Sequence, residues 1–150
     1  MPGNDSTRLE PLLASAALRL FALVVIAWGL SGVFLTDFWL HGALTLHLPA
    51  FGPLERGTVV NEFRFLEARE LGVGIFALAL HREILTSRKH NLTFLAVVFA
   101  APAARLFSCL VDGPPKPLWL AFGASELVMG IALLVLTRSA RRIKAAASPP

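Results

Sequence analysis

The sequence predicts an all-α integral membrane protein, a polytopic four-helix bundle whose two termini both lie in the cytoplasm. Hydrophobic residues make up 55% of the 150 residues and charged residues only 16%, whereas a soluble domain has about 25% charged residues. The hydrophobic residues are gathered in four windows close to the length of about 20 residues that crosses a bilayer. The length allows one compact membrane domain over residues 1–150.

The four predicted spans differ in how apolar they are. The first is longer than the apolar region of a cleaved signal peptide, which favours a retained helix. The second is charged in its first half and apolar only in its second half. The third contains Pro102 and Arg105, and the fourth has Glu126 as its single charge. The spans cover residues 12–36, 58–80, 91–111 and 118–137.

The 14 basic residues are distributed unevenly between the two sides of these spans. Nine lie before or at the start of the first span, between the second and third, or after the fourth, whereas the other side has only Arg56 and Lys116. Because basic residues concentrate in cytoplasmic loops, both termini are predicted to be cytoplasmic. An even number of crossings agrees with this orientation and supports treating the charged second window as a span.

The connections between the spans have different characters. The outer loop, residues 37–57, is apolar and is predicted to lie on the membrane surface or to cap the bundle. A proline-rich turn at 112–117 joins the last two spans, and a short basic loop at 82–90 joins the second and third. The basic tail, residues 138–150, can attract anionic lipid headgroups, although its role in orientation is sufficient to explain it.

Seven ionisable residues fall within the predicted spans, where each costs roughly 2.5 to 3.5 kcal/mol at the centre of the bilayer. At a rise of about 1.5 Å per residue, Glu67 and Arg69 of the second span, Arg105 of the third and Glu126 of the fourth reach similar depths, roughly 9 to 16 Å from the outer ends. We therefore expect acidic and basic groups of three helices to meet in the outer half of the bilayer. The seven are Glu62, Arg64, Glu67, Arg69, Glu70, Arg105 and Glu126.

Within the second span, the spacing of the charges suggests internal pairing. Glu62 and Arg69 share a helix face, and Arg64 precedes Glu67 by three residues. A helix charged on most sides must be surrounded by partners or by water, so we expect it to lie centrally, with Arg105 and Glu126 reaching toward it. The remaining apolar strip is expected to face lipid or to pack closely. That strip consists of Phe65, Ala68, Gly72, Ile75, Phe76 and Ala79.

Other classes of site have little support. The four histidines form no i, i+3 or i, i+4 pair, and Cys109 is the single cysteine, so no metal site and no cofactor is predicted. The basic excess is explained by orientation, and no nucleic-acid-binding motif is present. No catalytic residue can be named from the sequence.

Three short motifs occur in order along the chain: Asn61-Glu62-x-Arg64, then Arg105-x-x-Ser108-x-x-x-Asp112-Gly113-x-Pro115, then Glu126. Over residues 15–137 the chain resembles the small bacterial membrane proteins grouped as domain of unknown function 4345, which are akin to DoxX-like proteins. The resemblance implies four helices, cytoplasmic termini and a multi-pass location in the bacterial inner membrane, and it implies no assigned activity.

Three hypotheses for function follow. The first is a pocket at the outer face that binds a lipid-like or quinone-like amphiphile, or an accessory role in a membrane protein complex. The second is a membrane enzyme in which Glu67, Glu70 or Glu126 acts as acid or base on a lipid-soluble substrate. The third is a purely structural ion-pair network. The candidate binding residues are Glu62, Arg64, Glu67, Arg69, Glu70, Arg105, Ser108 and Glu126.

Overall fold

The computed structural model describes residues 6–44, 46 and 48–147, and these residues form helices and short connections without any strand. The all-α prediction is therefore confirmed. Two short helical turns, a π-helical turn at Phe38–Ala43 and a 3-10 turn at Leu48–Ala50, lie between the first two helices. The helices are α1 Ser6–Phe34, α2 Pro53–Ala79, α3 His81–Thr86, α4 Arg88–Val111 and α5 Pro117–Ala147.

Three helical segments of the described chain are long and apolar enough to cross a membrane. They lie at Glu10–Phe34, Arg88–Val111 and Pro117–Arg142. Helix α2 has 27 residues and would extend about 40 Å, which is long enough, but its charged residues lower its hydropathy. The composition of the helices therefore supports a membrane protein, and a crossing by α2 belongs to the proposal below.

The helix boundaries differ from the predicted ones at several ends: α1 begins at Ser6, and α5 continues through most of the predicted tail to Ala147. Helix α2 begins at Pro53 rather than near Thr58, because proline suits the first position of a helix, where no backbone N–H is needed. The predicted loop 82–90 is mostly helical. It holds α3, then Ser87 in an extended conformation, and the Ser87 hydroxyl accepts a hydrogen bond from the backbone N–H of His90 in the first turn of α4.

The chain divides into two compact units, which are described separately. The terminal unit comprises residues up to 19 and from 80 onward, and the hairpin unit comprises residues 20–79. In the terminal unit, α3, α4 and α5 pack together around the buried side chains of Ile84, Phe94 and Leu133. Gly130 of α5 lies against the ring of Phe99, where an added Cβ would come within 2.9 Å of it.

In the hairpin unit, α1 and α2 approach each other through glycine. A Cβ on Gly29 would lie 2.7 Å from the backbone oxygen of Glu67, and a Cβ on Gly74 would lie 2.8 Å from the backbone oxygen of Ala22. Such backbone-to-backbone packing is typical of membrane helices, in which small residues allow close approach. The glycines thus determine which faces of α1 and α2 meet.

Candidate functional site

An ion pair between α4 and α5 is the most defined polar feature of the terminal unit. The Nε of Arg105 donates to Oε2 of Glu126 at 2.9 Å, and its Nη2 donates to Oε1 at 3.0 Å. Both side chains are about one-third exposed, at 36% and 33%. A bidentate guanidinium–carboxylate pair fixes the orientation of both groups as well as their separation. An acidic and a basic group of two different helices therefore meet here, between α4 and α5.

Two residues of α5 hold the Arg105 side chain in place. The guanidinium carbon lies 5.3 Å from the centre of the Trp119 ring, within the range of a cation–π interaction. A Cβ on Gly123 would come within 3.2 Å of Cδ of Arg105, so the glycine provides room for the arginine stem. Trp119, Gly123 and Glu126 follow an i, i+4, i+7 spacing and hence share one face of α5.

The pair lies beside an open groove between α4 and α5, with a volume of about 670 Å³. We call it the α4–α5 groove. Most of its lining is apolar, and Arg105 and Ser108 supply the polar groups. The Ser108 hydroxyl itself donates to Oδ2 of Asp112 at 2.9 Å. The lining residues are Phe99, Pro102, Ala103, Arg105, Leu106, Ser108, Cys109, Pro115, Trp119, Leu120, Gly123, Ala124 and Leu127.

In the hairpin unit, Glu67 is a buried carboxylate at the contact of α1 and α2. Its side chain is 9% exposed and lies directly against Gly32, where any Cβ would overlap it. Trp28 forms a hydrogen bond with this carboxylate, whereas Oε2 of Glu67 has no partner among the described residues. Gly32 therefore creates the space that Glu67 occupies.

Arg64 makes a different contact in the same unit. Its Nε donates to the hydroxyl oxygen of the buried Thr36 at 3.2 Å, and that hydroxyl in turn donates to the backbone oxygen of Gly32 at 2.7 Å. Arg64 also lines an open cavity of about 510 Å³ near the start of α2. Asp37, Leu48, Phe51, Pro53, Arg56, Gly57 and Val60 complete its lining.

The ion pairs predicted within α2 were wrong. Among the described residues, Glu62 does not pair with Arg69, nor Arg64 with Glu67. Arg64 instead bonds to Thr36, just after α1, and Glu67 lies against Gly32 of α1. Glu62 and Arg69 are exposed, and Glu70 lies near enough to Glu67 for their charges to repel. The residues of the predicted apolar strip are also exposed, as expected of a lipid-facing surface.

Helix α2 is exposed along most of its charged first half. Only Glu67, Gly74 and Ala77 of this helix are buried, and the charged residues of its first half are mostly exposed. The α2 charges belong to the hairpin unit, whereas Arg105, Ser108 and Glu126 belong to the terminal unit. The structure thus brings together Arg105 with Glu126, and Ser108 lines the groove beside them.

Sequence reasoning missed Trp119, Gly123 and Thr36 as parts of these sites. The spacing of Trp119, Gly123 and Glu126 along α5 was the signal available for two of them. No comparable signal existed for Thr36, because its contact with Arg64 depends on how α1 and α2 pack. Within the described ranges, no three His, Cys, Asp or Glu residues are grouped so that they could hold a metal ion; His47 lies outside those ranges.

Comparison with known protein families identifies a match over most of the chain. Residues 13–137 match the family described as Domain of unknown function (DUF4345). The chain belongs to this family. The match includes all of the hairpin unit, all of α4, and α5 up to residue 137, so the ion pair and the glycine contacts all lie inside the DUF4345 region. No curated protein and no solved structure shows significant similarity to the chain.

Proposed function

We propose that this DUF4345 protein is a multi-pass protein of the bacterial inner membrane, akin to DoxX-like proteins, that binds an amphiphile in the α4–α5 groove. Four helices cross the membrane, and both termini are cytoplasmic. The ligand is lipid-like or quinone-like. Its polar head meets Arg105 and Glu126, and its apolar part lies along the groove.

The observation that carries this proposal is the bidentate Arg105–Glu126 pair at the edge of an apolar groove. An arginine has five N–H donors, and Arg105 uses two of them on Glu126. Three donors are left for a carbonyl, carboxylate or phosphate oxygen of a ligand. Because ionisable groups are costly in membrane helices and usually mark a functional site, a pair held open to a groove favours binding.

The shape and chemistry of the groove agree with an amphiphile. Its volume of about 670 Å³ falls in the range of about 300 to 1,000 Å³ typical of small-molecule sites. Its walls are mostly apolar, and its polar groups, Arg105 and Ser108, lie in the C-terminal half of α4. Trp119 lies against the guanidinium of Arg105 and provides an aromatic surface for a ring or chain.

Trp119 also serves as the reporter in a direct test. The chain has three tryptophans, so Trp28→Phe with Trp39→Phe leaves Trp119 as the single emitter. Titration with a decyl-substituted benzoquinone in detergent is expected to quench Trp119 saturably, and a lysophospholipid is expected to compete. Arg105→Gln should weaken binding about tenfold, since it removes a charge-assisted hydrogen bond. The matched control is Arg82→Gln, which removes an exposed arginine of α3.

Two outcomes would contradict the proposal. Quenching that rises linearly, without saturation, would mean that the quinone merely partitions into the micelle. Equal binding by Arg105→Gln and Arg82→Gln would mean that the ion pair has no role in recognition and is structural. Recovery of the quinone chemically unchanged after incubation distinguishes binding from turnover.

A further inference from the structure

A second polar region of the terminal unit lies at the opposite end of α4 and α5 from the groove. The C-terminal part of α5 carries Arg138 and Arg141, and α4 begins at Arg88. Both Arg138 and Arg88 lie close enough to Arg141 for their charges to repel it. None of the three arginines forms an ion pair with a carboxylate of the described residues. We call this group the basic cluster.

Buried hydrogen-bonding atoms without partners accompany the basic cluster. Nη1 of Arg141 is buried and has no hydrogen-bond partner among the described residues. Asn91 is completely buried, and neither atom of its amide has a partner there. Asn91 follows Arg88 by three residues, so it lies on the same face of α4 about one turn deeper. Unsatisfied buried amides and guanidiniums are uncommon in folded proteins and require an explanation.

Other polar side chains of the terminal unit form hydrogen bonds with residues outside the basic cluster. The Thr137 hydroxyl, one turn before Arg141, donates to the backbone oxygen of Leu133 at 2.7 Å. Glu10 accepts a hydrogen bond from the hydroxyl of Ser139. His81 is within hydrogen-bond distance of Ser15 and Arg19. The region thus combines surplus positive charge with unpartnered guanidinium and amide donors, and among the described residues no carboxylate forms an ion pair with these arginines.

We propose that the basic cluster, together with the amide of Asn91, binds a phosphate group. A phosphate supplies both a negative charge and several acceptor oxygens, and arginine groups recognise it through multiple N–H donors. The membrane-length helices present this end of the unit to lipid headgroups, so an anionic phospholipid is the natural source of the phosphate. The site is separate from the α4–α5 groove and does not depend on the function proposed for the groove.

The test compares two arginines on the same turn of α5. Arg141→Gln removes a member of the cluster, whereas Arg142→Gln removes an equal charge from an exposed neighbour. The full chain is purified in a neutral detergent, and binding of phosphatidylglycerol and phosphatidylcholine is measured by native mass spectrometry. The loss of one surface charge should weaken phosphatidylglycerol binding about fivefold in both variants. In Arg141→Gln, binding should weaken by about a further tenfold, because this variant also removes charge-assisted hydrogen bonds.

Asn91→Leu provides a second variant. Leucine has the same branched shape and the same number of side-chain heavy atoms as asparagine and removes the unsatisfied amide, so the melting temperature of the lipid-free protein is expected to rise. Phosphatidylglycerol binding should nevertheless weaken, and the stabilisation that the lipid gives to the native chain should shrink. A variant that is more stable and yet binds less lipid cannot be explained by unfolding.

A measurement with inorganic phosphate distinguishes a lipid headgroup from a soluble ligand as the source of the bound phosphate. If phosphatidylglycerol alone binds with the expected dependence on Arg141, the ligand is a lipid headgroup. If inorganic phosphate raises the melting temperature with the same dependence, the phosphate site stands and its ligand is soluble. Equal losses in Arg141→Gln and Arg142→Gln, or equal binding of the anionic and zwitterionic lipids, would overturn the proposal, since the arginines would then act only as surface charge.

Discussion

At the scale of single residues, the pairing of Arg105 with Glu126 stabilises one charged side chain in α4 and one in α5. The two side chains satisfy each other through two hydrogen bonds, and Trp119 covers one face of the guanidinium. Removal of one partner leaves an uncompensated charge in a partly desolvated position, which costs more than the net stabilisation from the intact pair. The energetic signature of the pair is therefore coupling between the two residues.

A double-mutant cycle measures that coupling. Arg105→Gln and Glu126→Gln are each expected to lower the free energy of unfolding by about 1 to 2 kcal/mol, a modest value because both groups are one-third exposed. The double variant should lose at least about 1 kcal/mol less than the sum of the single losses. Denaturant unfolding in detergent micelles provides the values. Glu83→Gln, at an exposed site on α3, is the control. Strict additivity of the losses in Arg105→Gln and Glu126→Gln would show that Arg105 and Glu126 do not interact.

At the scale of helices, glycine rather than charge brings α1 and α2 together. Gly29 and Gly74 allow backbone contact, and Gly32 leaves the space that Glu67 fills. By contrast, a Cβ on Gly72 would meet nothing within 4 Å. The hairpin unit thus contains glycines in close contact and a glycine in open space. An added methyl group should destabilise the protein at the first kind of position and stabilise it at the second.

Gly32→Ala is expected to destabilise the hairpin unit by about 1 to 3 kcal/mol, because the added methyl group overlaps the Glu67 side chain. Gly72→Ala should instead stabilise α2 by up to about 1 kcal/mol, since alanine has the higher helix propensity. Thermal unfolding followed by circular dichroism measures both changes. Adding Glu67→Ala to Gly32→Ala should recover part of the loss, and a similar destabilisation by the two glycine variants would refute the close contact.

The sequence predicted the helices more accurately than the partners of their charged residues. Arg64 and Glu67 are three residues apart and were expected to pair, but Glu67 instead contacts Gly32 of α1, and Arg64 contacts Thr36, just after the end of α1. Spacing within one helix reports which side chains share a face, and it carries no information on the neighbouring helix that competes for them. The Arg105–Glu126 pair was easier to predict, because a short turn joins α4 to α5 and places similar depths opposite each other.

At the scale of the whole molecule, the number of membrane crossings depends on α2. Three helical segments are apolar enough to cross, and α2 is long enough but charged. The distribution of basic residues favours four crossings, because it places the N-terminal segment, residues 82–90 and the C-terminal tail on one side. The side of the membrane on which the C-terminus lies therefore distinguishes three crossings from four.

A pair of reporter fusions tests this topology in bacteria. Green fluorescent protein fused after residue 150 is expected to fluoresce, since it folds in the cytoplasm, and alkaline phosphatase at the same place is expected to be inactive. Fusions at Gly113, between α4 and α5, should give the reverse pattern. An active phosphatase at the C-terminus would show that α2 does not cross the membrane and that an odd number of helices does.

The sequence by itself determined the helical class, the apolar lengths of α1, α4 and α5, the positions at which charge enters these helices and membership of the DUF4345 family. These properties follow from composition and local order, because hydropathy, helix period and short motifs are carried by consecutive residues. The tertiary structure decided which charges have partners: Glu126 for Arg105, Thr36 for Arg64, and the space beside Gly32 for Glu67. The physical reason is that a side chain's partner depends on the rotation and separation of two helices, and contacts between residues distant in sequence determine both.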